Sequence, residues 1–250
     1  MDILAFPDEN YIMHECRDML LAAKNILFQL SNSSMITEQQ VNYFDTFGYL
    51  ALPGLFLDEI TAITDAFNAV FADESQMRWE AKSDKIVTGR REVVPGIIER
   101  HADLSKIITD RRVLDIANAL MPTGYTFLPG DGSRFRSETC WHADVTGIDL
   151  NVRNIKMALY LDPLDTDNGA LRVLPGTHRI DNEFTKQVSR MIMPEGSVVD
   201  KLGIKGSEIP SWTLKSNPGD LLVWDRRVLH SSYKGTKERR VIAFGFKAAA

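Results

Sequence analysis

Apolar positions recur at helical spacing in the first part of the chain and fall into short strand-like runs in the second. Ile12, Cys16, Met19, Ala23, Ile26, Leu27 and Leu30 predict an amphipathic helix over residues 10–30, because a 3.6-residue period stacks them on one face. Ser31-Asn32-Ser33-Ser34 interrupts that pattern with residues that favour turns. Thr37-Glu38-Gln39-Gln40 has the form of a capping box, so a second helix is expected from Thr37 to Gly48. Tyr49 to Leu52 reads as a short strand. Asp58 to Phe71 reads as a third helix, with Ile60, Ile63, Phe67, Val70 and Phe71 on one face. A fourth helix is expected from about Thr109 to Leu120, stopped by Pro122. Residues 74–102 are charged and without clear period.

Beyond Pro122 the character changes to short β-type runs alternating with turns. Tyr125 to Leu128 and Ser133 to Val145 are separated by Pro129-Gly130-Asp131-Gly132, which predicts a turn. Ile155 to Leu161 is almost wholly apolar, the mark of a strand buried on both faces. Leu171 to Leu174, Trp212 to Lys215, Leu221 to Trp224 and Val241 to Phe246 complete the set. Helices followed by many short strands predict a mainly β protein with supporting α-helices, built as a β-sandwich or jelly roll. One domain is expected over residues 1–250, with a helical extension at 1–34 and an insertion at 181–209.

Composition narrows the function classes. The chain carries 44% hydrophobic and 25% charged residues and a net charge of -5. No basic block offers a face for phosphates, so a nucleic-acid partner is not expected. Two cysteines, Cys16 and Cys140, are too few for a disulfide framework. No apolar run has the length of a membrane span, and the acidic start, Met1 to Glu9, lacks a basic leader. A cytoplasmic protein acting on a small-molecule substrate is the expectation.

Five histidines are present. His142 and Asp144 stand two apart in an expected strand, where alternation puts both side chains on one face. His230 follows a turn and a buried strand, Pro218-Gly219-Asp220-Leu221-Leu222-Val223-Trp224, and is the best third ligand. Two imidazoles and a carboxylate leave three positions of an octahedral ion open, which suits Fe(II), a chelating 2-oxo acid and O2. Taken alone, a His-x-Asp pair is a common coincidence. His14, His101 and His178 are read as structural, and Cys140 as a small buried residue lining the barrel.

Several separate stretches lift this above coincidence. Thr139-Cys140-Trp141-His142-Ala143-Asp144, Asn168-Gly169-Ala170-Leu171-Arg172-Val173-Leu174-Pro175-Gly176-Thr177-His178 and Pro218-Gly219-Asp220…His230-Ser231-Ser232 resemble, in order and spacing, motifs of the phytanoyl-CoA dioxygenase family. Thr37 to Leu55 is similar to that family's opening segment, and the resemblance covers roughly residues 37–248. It implies a double-stranded β-helix core, and Fe(II) held by His142, Asp144 and His230. It also implies 2-oxoglutarate held by an Arg of the last strand with help from Ser232, and O2 as co-substrate. The implied activity is that of a 2-oxoglutarate-dependent dioxygenase hydroxylating a small metabolite or natural-product intermediate. Desaturation, epimerisation and ring formation draw on the same cofactors. A carboxylate at Asp144 favours hydroxylation over halogenation, and a non-catalytic metal-binding jelly roll is the alternative from another class.

Arg239 and Arg240 compete for the 2-oxoglutarate. Period-two alternation groups Arg239 with Val241, Ala243 and Gly245, and Arg240 with Ile242, Phe244 and Phe246. The small-residue face suits a barrel interior, so Arg239 is expected inside. Arg90, Arg91, Arg100, Trp79 and Trp212 are candidates for substrate contact.

Overall fold

The computed structural model describes residues 35–73, 79–83, 87–144, 152–179, 208–235 and 237–249. The helix expected over 10–30, the rest of the extension at 1–34 and nearly all of the 181–209 insertion lie outside these residues. Among the described residues no helix is long and apolar enough to cross a membrane.

Among the described residues four α-helices, α1 (Glu38–Phe47), α2 (Ile60–Ala72), α3 (Ala102–Thr109) and α4 (Arg111–Leu120), accompany ten strands. The strands are β1 (Tyr49–Leu52), β2 (Trp79–Ser83), β3 (Val87–Pro95), β4 (Tyr125–His142), β5 (Asn154–Tyr160), β6 (Leu171–Val173), β7 (Trp212–Leu214), β8 (Leu221–Asp225), β9 (His230–Ser232) and β10 (Arg239–Ala248). Hydrogen bonds join them in the order β1-β8-β5-β10-β4-β9-β6-β7, with β3 on β4 and β2 on β3. Strand β4 is the corner of this nearly closed sheet. Its first part pairs with β10, from Tyr125↔Ala248 to Phe135↔Arg239, and its end pairs with β9 at Thr139↔Ser232 and His142↔His230. The expected jelly roll is therefore present.

The apolar run in β5 is explained by burial on both sides. Ile155, Met157 and Leu159 join the core beneath the helices, while Ala158 and Tyr160 face the other way, toward Leu222, Trp224 and Val241. Helix α2 puts Ile63, Phe67, Val70 and Phe71 against the outer face of the same sheet. Phe67 is 0% exposed, and burial of such a side chain contributes about 1.5–3 kcal/mol. At the start of α1, Thr37 Oγ1 accepts from the Gln40 N–H at 3.2 Å and Gln40 Oε1 accepts from the Thr37 N–H at 2.8 Å. The capping box is thus formed.

Three expectations are corrected, and the helix expected from about Thr109 is present as α4 with its start at Arg111. Pro129-Gly130-Asp131-Gly132 does not turn the chain but runs within β4 as a bulge. Asp131 and Leu128, three positions apart, oppose Ala243 and Gly245, two apart. Ladders on β3 and β10 hold the segment extended, overriding its local turn preference. The bulge changes the phase of the strand, so that Leu128 lines the interior cavity while Phe127 packs with the outer core.

Residues 74–102 hold more regular structure than their composition suggests. They contain the β2–β3 hairpin and a 3-10 turn at Ile97–Arg100. The helix expected from Thr109 is preceded by a separate one, α3, because Asp110 is extended and caps α4 through the Arg112 N–H. Finally, β4 ends at His142, so Asp144 lies beyond the strand rather than within it.

Gly130 makes the bulge possible. A Cβ there would lie 1.6 Å from the Ala243 carbonyl oxygen. Gly130→Ala is expected to lower stability by about 1–3 kcal/mol, the usual cost of forcing a packed backbone apart. Urea unfolding measures it, and an unchanged midpoint would show that the close approach is not required.

Candidate active site

A cavity of about 450 Å3 opens between the inner faces of β4, β5, β8, β9 and β10. His142 and His230 reach it from directly paired positions, and their ring centroids lie 4.1 Å apart. A second bulge in β4 sets this up. Thr139 and His142, three apart, oppose Ser232 and His230, two apart, so Thr139 and His142 both line the cavity. The same irregularity corrects the reading of Cys140. It does not line the cavity but packs with Trp141, Leu174 and Leu229 in a separate cluster.

Asp144 is delivered by the loop after β4, where its N–H donates to the Arg226 carbonyl at 2.8 Å. Its Oδ2 lies 3.6 Å from His230 Nε2 and accepts from Trp224 Nε1 at 3.2 Å. Lys156 Nζ donates to Oδ1 at 2.9 Å. Ligand atoms of His142, Asp144 and His230 all lie within 4.8 Å of one another, a group able to hold a metal ion.

The tautomers follow from the backbone. His142 Nδ1 is 2.8 Å from the Cys140 carbonyl and His230 Nδ1 is 2.9 Å from the Val228 carbonyl. A carbonyl can only accept, so both Nδ1 atoms carry the proton and both Nε2 atoms present lone pairs when the rings are neutral. Neutrality is favoured. Burial pushes the His230 pKa down to about 3, with His142 adding to the effect and Asp144 opposing it. Burial lowers His142 in the same way. For Asp144, burial raises the pKa, but Lys156, His230 and His142 outweigh it and hold the carboxyl below the usual range. Three acceptors thus converge, and a cation between them would relieve their mutual repulsion.

Arg239 lies on the inner face of β10 and is 4% exposed. Its Nη1 donates to the Gly169 carbonyl and its Nη2 to the Ser137 carbonyl. Gly169 is needed there. Its φ is +94°, and a Cβ would sit 2.6 Å from Arg239 Nη1, so the Asn168-Gly169 pair serves to bring a carbonyl against the guanidinium. Arg239 Nε is buried with no hydrogen-bond partner. Burial lowers the Arg239 pKa, with Tyr160 and Glu138 opposing that shift. Ser232 is buried beside the same cavity, 3.1 Å from Thr139 Oγ1 through its own Oγ. Arg240 points away and pairs with Asp162 at 2.6 Å and Asn68 at 3.2 Å.

The remaining candidates divide. Arg91 lines the cavity, with Nη2 3.3 Å from Ser133 Oγ and its guanidinium over Phe135. Arg90 pairs with Glu92 outside, and Arg100 donates to the Pro95 carbonyl. Trp212 is 60% exposed on β7, and the Trp79 side chain falls outside the described residues. His101 caps α3 by accepting from the Asp103 N–H, and His178 packs in a 3-10 turn beside Asp45. Sequence reasoning missed Lys156, Trp224 and Tyr160 as wall residues. Lys156 had a legible signal, a lone charge within an apolar strand.

Comparison with known proteins gives the same frame. A curated relative, the ectoine dioxygenase of Sphingopyxis alaskensis (strain DSM 13593 / LMG 18877 / RB2256), is 24% identical over 231 residues, covering 81% of this chain and 72% of the relative. Among solved structures, the non-heme alpha ketoglutarate dependent carbocyclase SnoK from nogalamycin biosynthesis superposes with a TM-score of 0.66 at 16% identity, covering 87% of each chain. EctD from S. alaskensis superposes with a TM-score of 0.65 at 20% identity, covering 87% of this chain and 79% of that one. HygX from Streptomyces hygroscopicus, solved with nickel and 2-oxoglutarate bound, gives 0.65 at 16% identity, with 86% and 88% covered. The family model for phytanoyl-CoA dioxygenase (PhyH) matches residues 44–241. The chain therefore belongs to the phytanoyl-CoA dioxygenase family.

Proposed function

We propose that the protein is an Fe(II)- and 2-oxoglutarate-dependent dioxygenase that hydroxylates a small polar metabolite, with iron held by His142, Asp144 and His230. The observation that carries this reading is the convergence of two imidazole lone pairs and one carboxylate in a buried cavity. Two nitrogens and one oxygen suit Fe(II), and they leave positions for a chelating 2-oxo acid and O2. With both bound, oxidative decarboxylation of 2-oxoglutarate to succinate and CO2 is coupled to oxidation of a substrate C–H bond.

Each neighbouring residue has a part in that chemistry. The Cys140 and Val228 carbonyls fix the ring orientation of the two histidines, and their acceptance of Nδ1–H raises the basicity of Nε2. Arg239 supplies the charge for the distal carboxylate of 2-oxoglutarate. Two of its donors are spent on carbonyls and its Nε is left without a partner. Those two carbonyls hold the guanidinium still, so a carboxylate can meet it in bidentate fashion. Ser232, on the wall of the same cavity, adds a hydroxyl donor. A purely metal-binding jelly roll would have no use for a buried cation of this kind.

The substrate class follows from the walls. Arg91, Asp131, Lys156 and Arg226 line the cavity together with apolar groups such as Leu128 and Val241. Charged walls favour a small polar substrate over a fatty acyl chain. The ectoine dioxygenase and HygX comparisons lend support by analogy. SnoK, a carbocyclase, and SnoN, an epimerase from the same biosynthesis, show the outcomes this fold accommodates besides hydroxylation. A screen of small polar metabolites for substrate-stimulated succinate release tests the function. Failure of every candidate to raise release above the uncoupled rate would count against a polar substrate.

Two expected outcomes follow. Arg239→Ala is expected to raise the half-saturating 2-oxoglutarate concentration at least about tenfold, or about 1.4 kcal/mol, and Arg240→Ala to leave it nearly unchanged. Titration of succinate formation against 2-oxoglutarate measures both, and the reverse order would assign the anchor to Arg240. The second outcome concerns pH. His230 is neutral in the fold until about pH 3, against an ordinary value of 6.5, and His142 is shifted in the same direction. Below the ordinary value the unfolded chain takes up protons that the folded chain refuses. The metal-free protein should therefore be fully supported by these histidines above about pH 6.5 and lose that support progressively toward about pH 3. Urea midpoints at a series of pH values measure the slope, which should be shallower in His230→Gln. Equal slopes in the two proteins would contradict a buried neutral imidazole.

A further inference from the structure

Among the described residues, Lys156 donates to the carboxylate of a proposed metal ligand, and the function just proposed gives it no part beyond that of a charged wall. It belongs to β5 and is directly paired across the sheet with Trp224 of β8. Its Nζ lies 5.5 Å from the centroid of the Trp224 ring and 2.9 Å from Asp144 Oδ1. Trp224 Nε1 donates to the other oxygen, Oδ2, at 3.2 Å. The carboxylate is thus gripped by two donors that are themselves packed against each other, and its backbone is tied to Arg226. Its rotation is fixed on both sides. The Asp144 side chain is 11% exposed and that of Lys156 30%, so this pair is not a solvated surface bridge of the kind that contributes little.

The two oxygens are not equivalent. Oδ2 faces the histidines, 3.6 Å from His230 Nε2, and Oδ1 faces the ammonium. A divalent ion binding both oxygens would have to share Oδ1 with a positive charge. An ion on Oδ2 alone leaves the ammonium bond intact. We infer that Lys156 is a positioning residue that keeps Asp144 a one-oxygen ligand, and so preserves the third open metal position, the one left for O2 once 2-oxoglutarate has taken two. This rests on the iron and 2-oxoglutarate reading above. The coordination count makes the consequence specific. Three protein donors leave three of six positions open, whereas a two-oxygen Asp144 leaves two. A chelating 2-oxo acid would then fill the last two positions and leave none for O2.

The inference separates Lys156 from a residue that merely stabilises the fold. Loss of a structural prop would weaken metal and 2-oxoglutarate binding together. Simple relief of charge repulsion would tighten the metal and leave the reaction with O2 unchanged. Loss of the one-oxygen constraint leaves metal and 2-oxoglutarate binding as tight as before, or tighter, and slows only the reaction of the chelate with O2.

The test uses the full chain under anaerobic conditions. Fe(II) affinity is measured by competition with a chromophoric chelator, and 2-oxoglutarate binding by the visible charge-transfer band of its iron chelate. Lys156→Met is expected to hold Fe(II) and 2-oxoglutarate at least as tightly as wild type, while decay of the charge-transfer band on mixing with O2 slows at least about tenfold. An unchanged decay rate, or parallel loss of both affinities in a folded variant, overturns the inference. Absence of the band from wild type removes the cofactor reading and this inference with it. A measurement on wild type alone covers a variant that does not fold. Infrared difference spectra of the Fe(II)-loaded protein, with and without 13C-aspartate labelling, should show the wide separation of carboxylate stretches typical of one-oxygen binding. A narrow separation, typical of two-oxygen binding, overturns the inference.

Discussion

Three hydrogen-bond acceptors meeting without a donor between them are the constraint around which this protein is arranged. His142 Nε2, His230 Nε2 and a carboxylate oxygen of Asp144 come together because two backbone carbonyls have already taken the Nδ1 protons. Such a cluster is unfavourable by itself in a buried setting and becomes favourable with a cation. Much of the fold can be read as the means of holding it. Strand β4 crosses from one side of the jelly roll to the other so that its end can pair with β9. Helices pack the outer face of the sheet and leave the inner face, with its small side chains Ala158 and Ala243, for the cavity.

A second buried charge imposes its own conditions. Arg239 costs free energy inside the barrel, because burial disfavours its charged form. The Ser137 and Gly169 carbonyls offset part of that cost. They also prevent the side chain from swinging toward solvent. Gly169 and Gly235 stand where any Cβ would collide with the guanidinium. Fixed carbonyls, missing Cβ atoms and an unpartnered Nε together describe a cation kept ready for an anion that the chain itself does not provide.

Side-chain chemistry was more legible in the sequence than backbone path. The alternation Arg239, Val241, Ala243, Gly245 against Arg240, Ile242, Phe244, Phe246 separated an inner from an outer face, and the structure puts the two arginines accordingly. It worked because β10 is paired on both edges, by β4 and β5, and cannot slip. Where the ladder is irregular the same rule failed. Cys140 shares the parity of His142 yet packs elsewhere, since the bulge before His142 breaks the period. Pro129-Gly130-Asp131-Gly132 carries strong local turn signals, and only the neighbouring strands, distant in sequence, keep it extended. Lys156 illustrates a further limit. A lone lysine in an apolar strand signals an unusual environment, but its partner Asp144 comes from a loop whose position depends on the whole fold.

Diffraction from anaerobic crystals grown with Fe(II) and 2-oxoglutarate, with data collected at the iron absorption edge, tests the central claim most directly. A single iron peak is expected between His142 Nε2, His230 Nε2 and Asp144, with the distal carboxylate of 2-oxoglutarate against Arg239 and Ser232. An iron peak away from these three side chains, or a 2-oxoglutarate carboxylate held by another arginine, would contradict it.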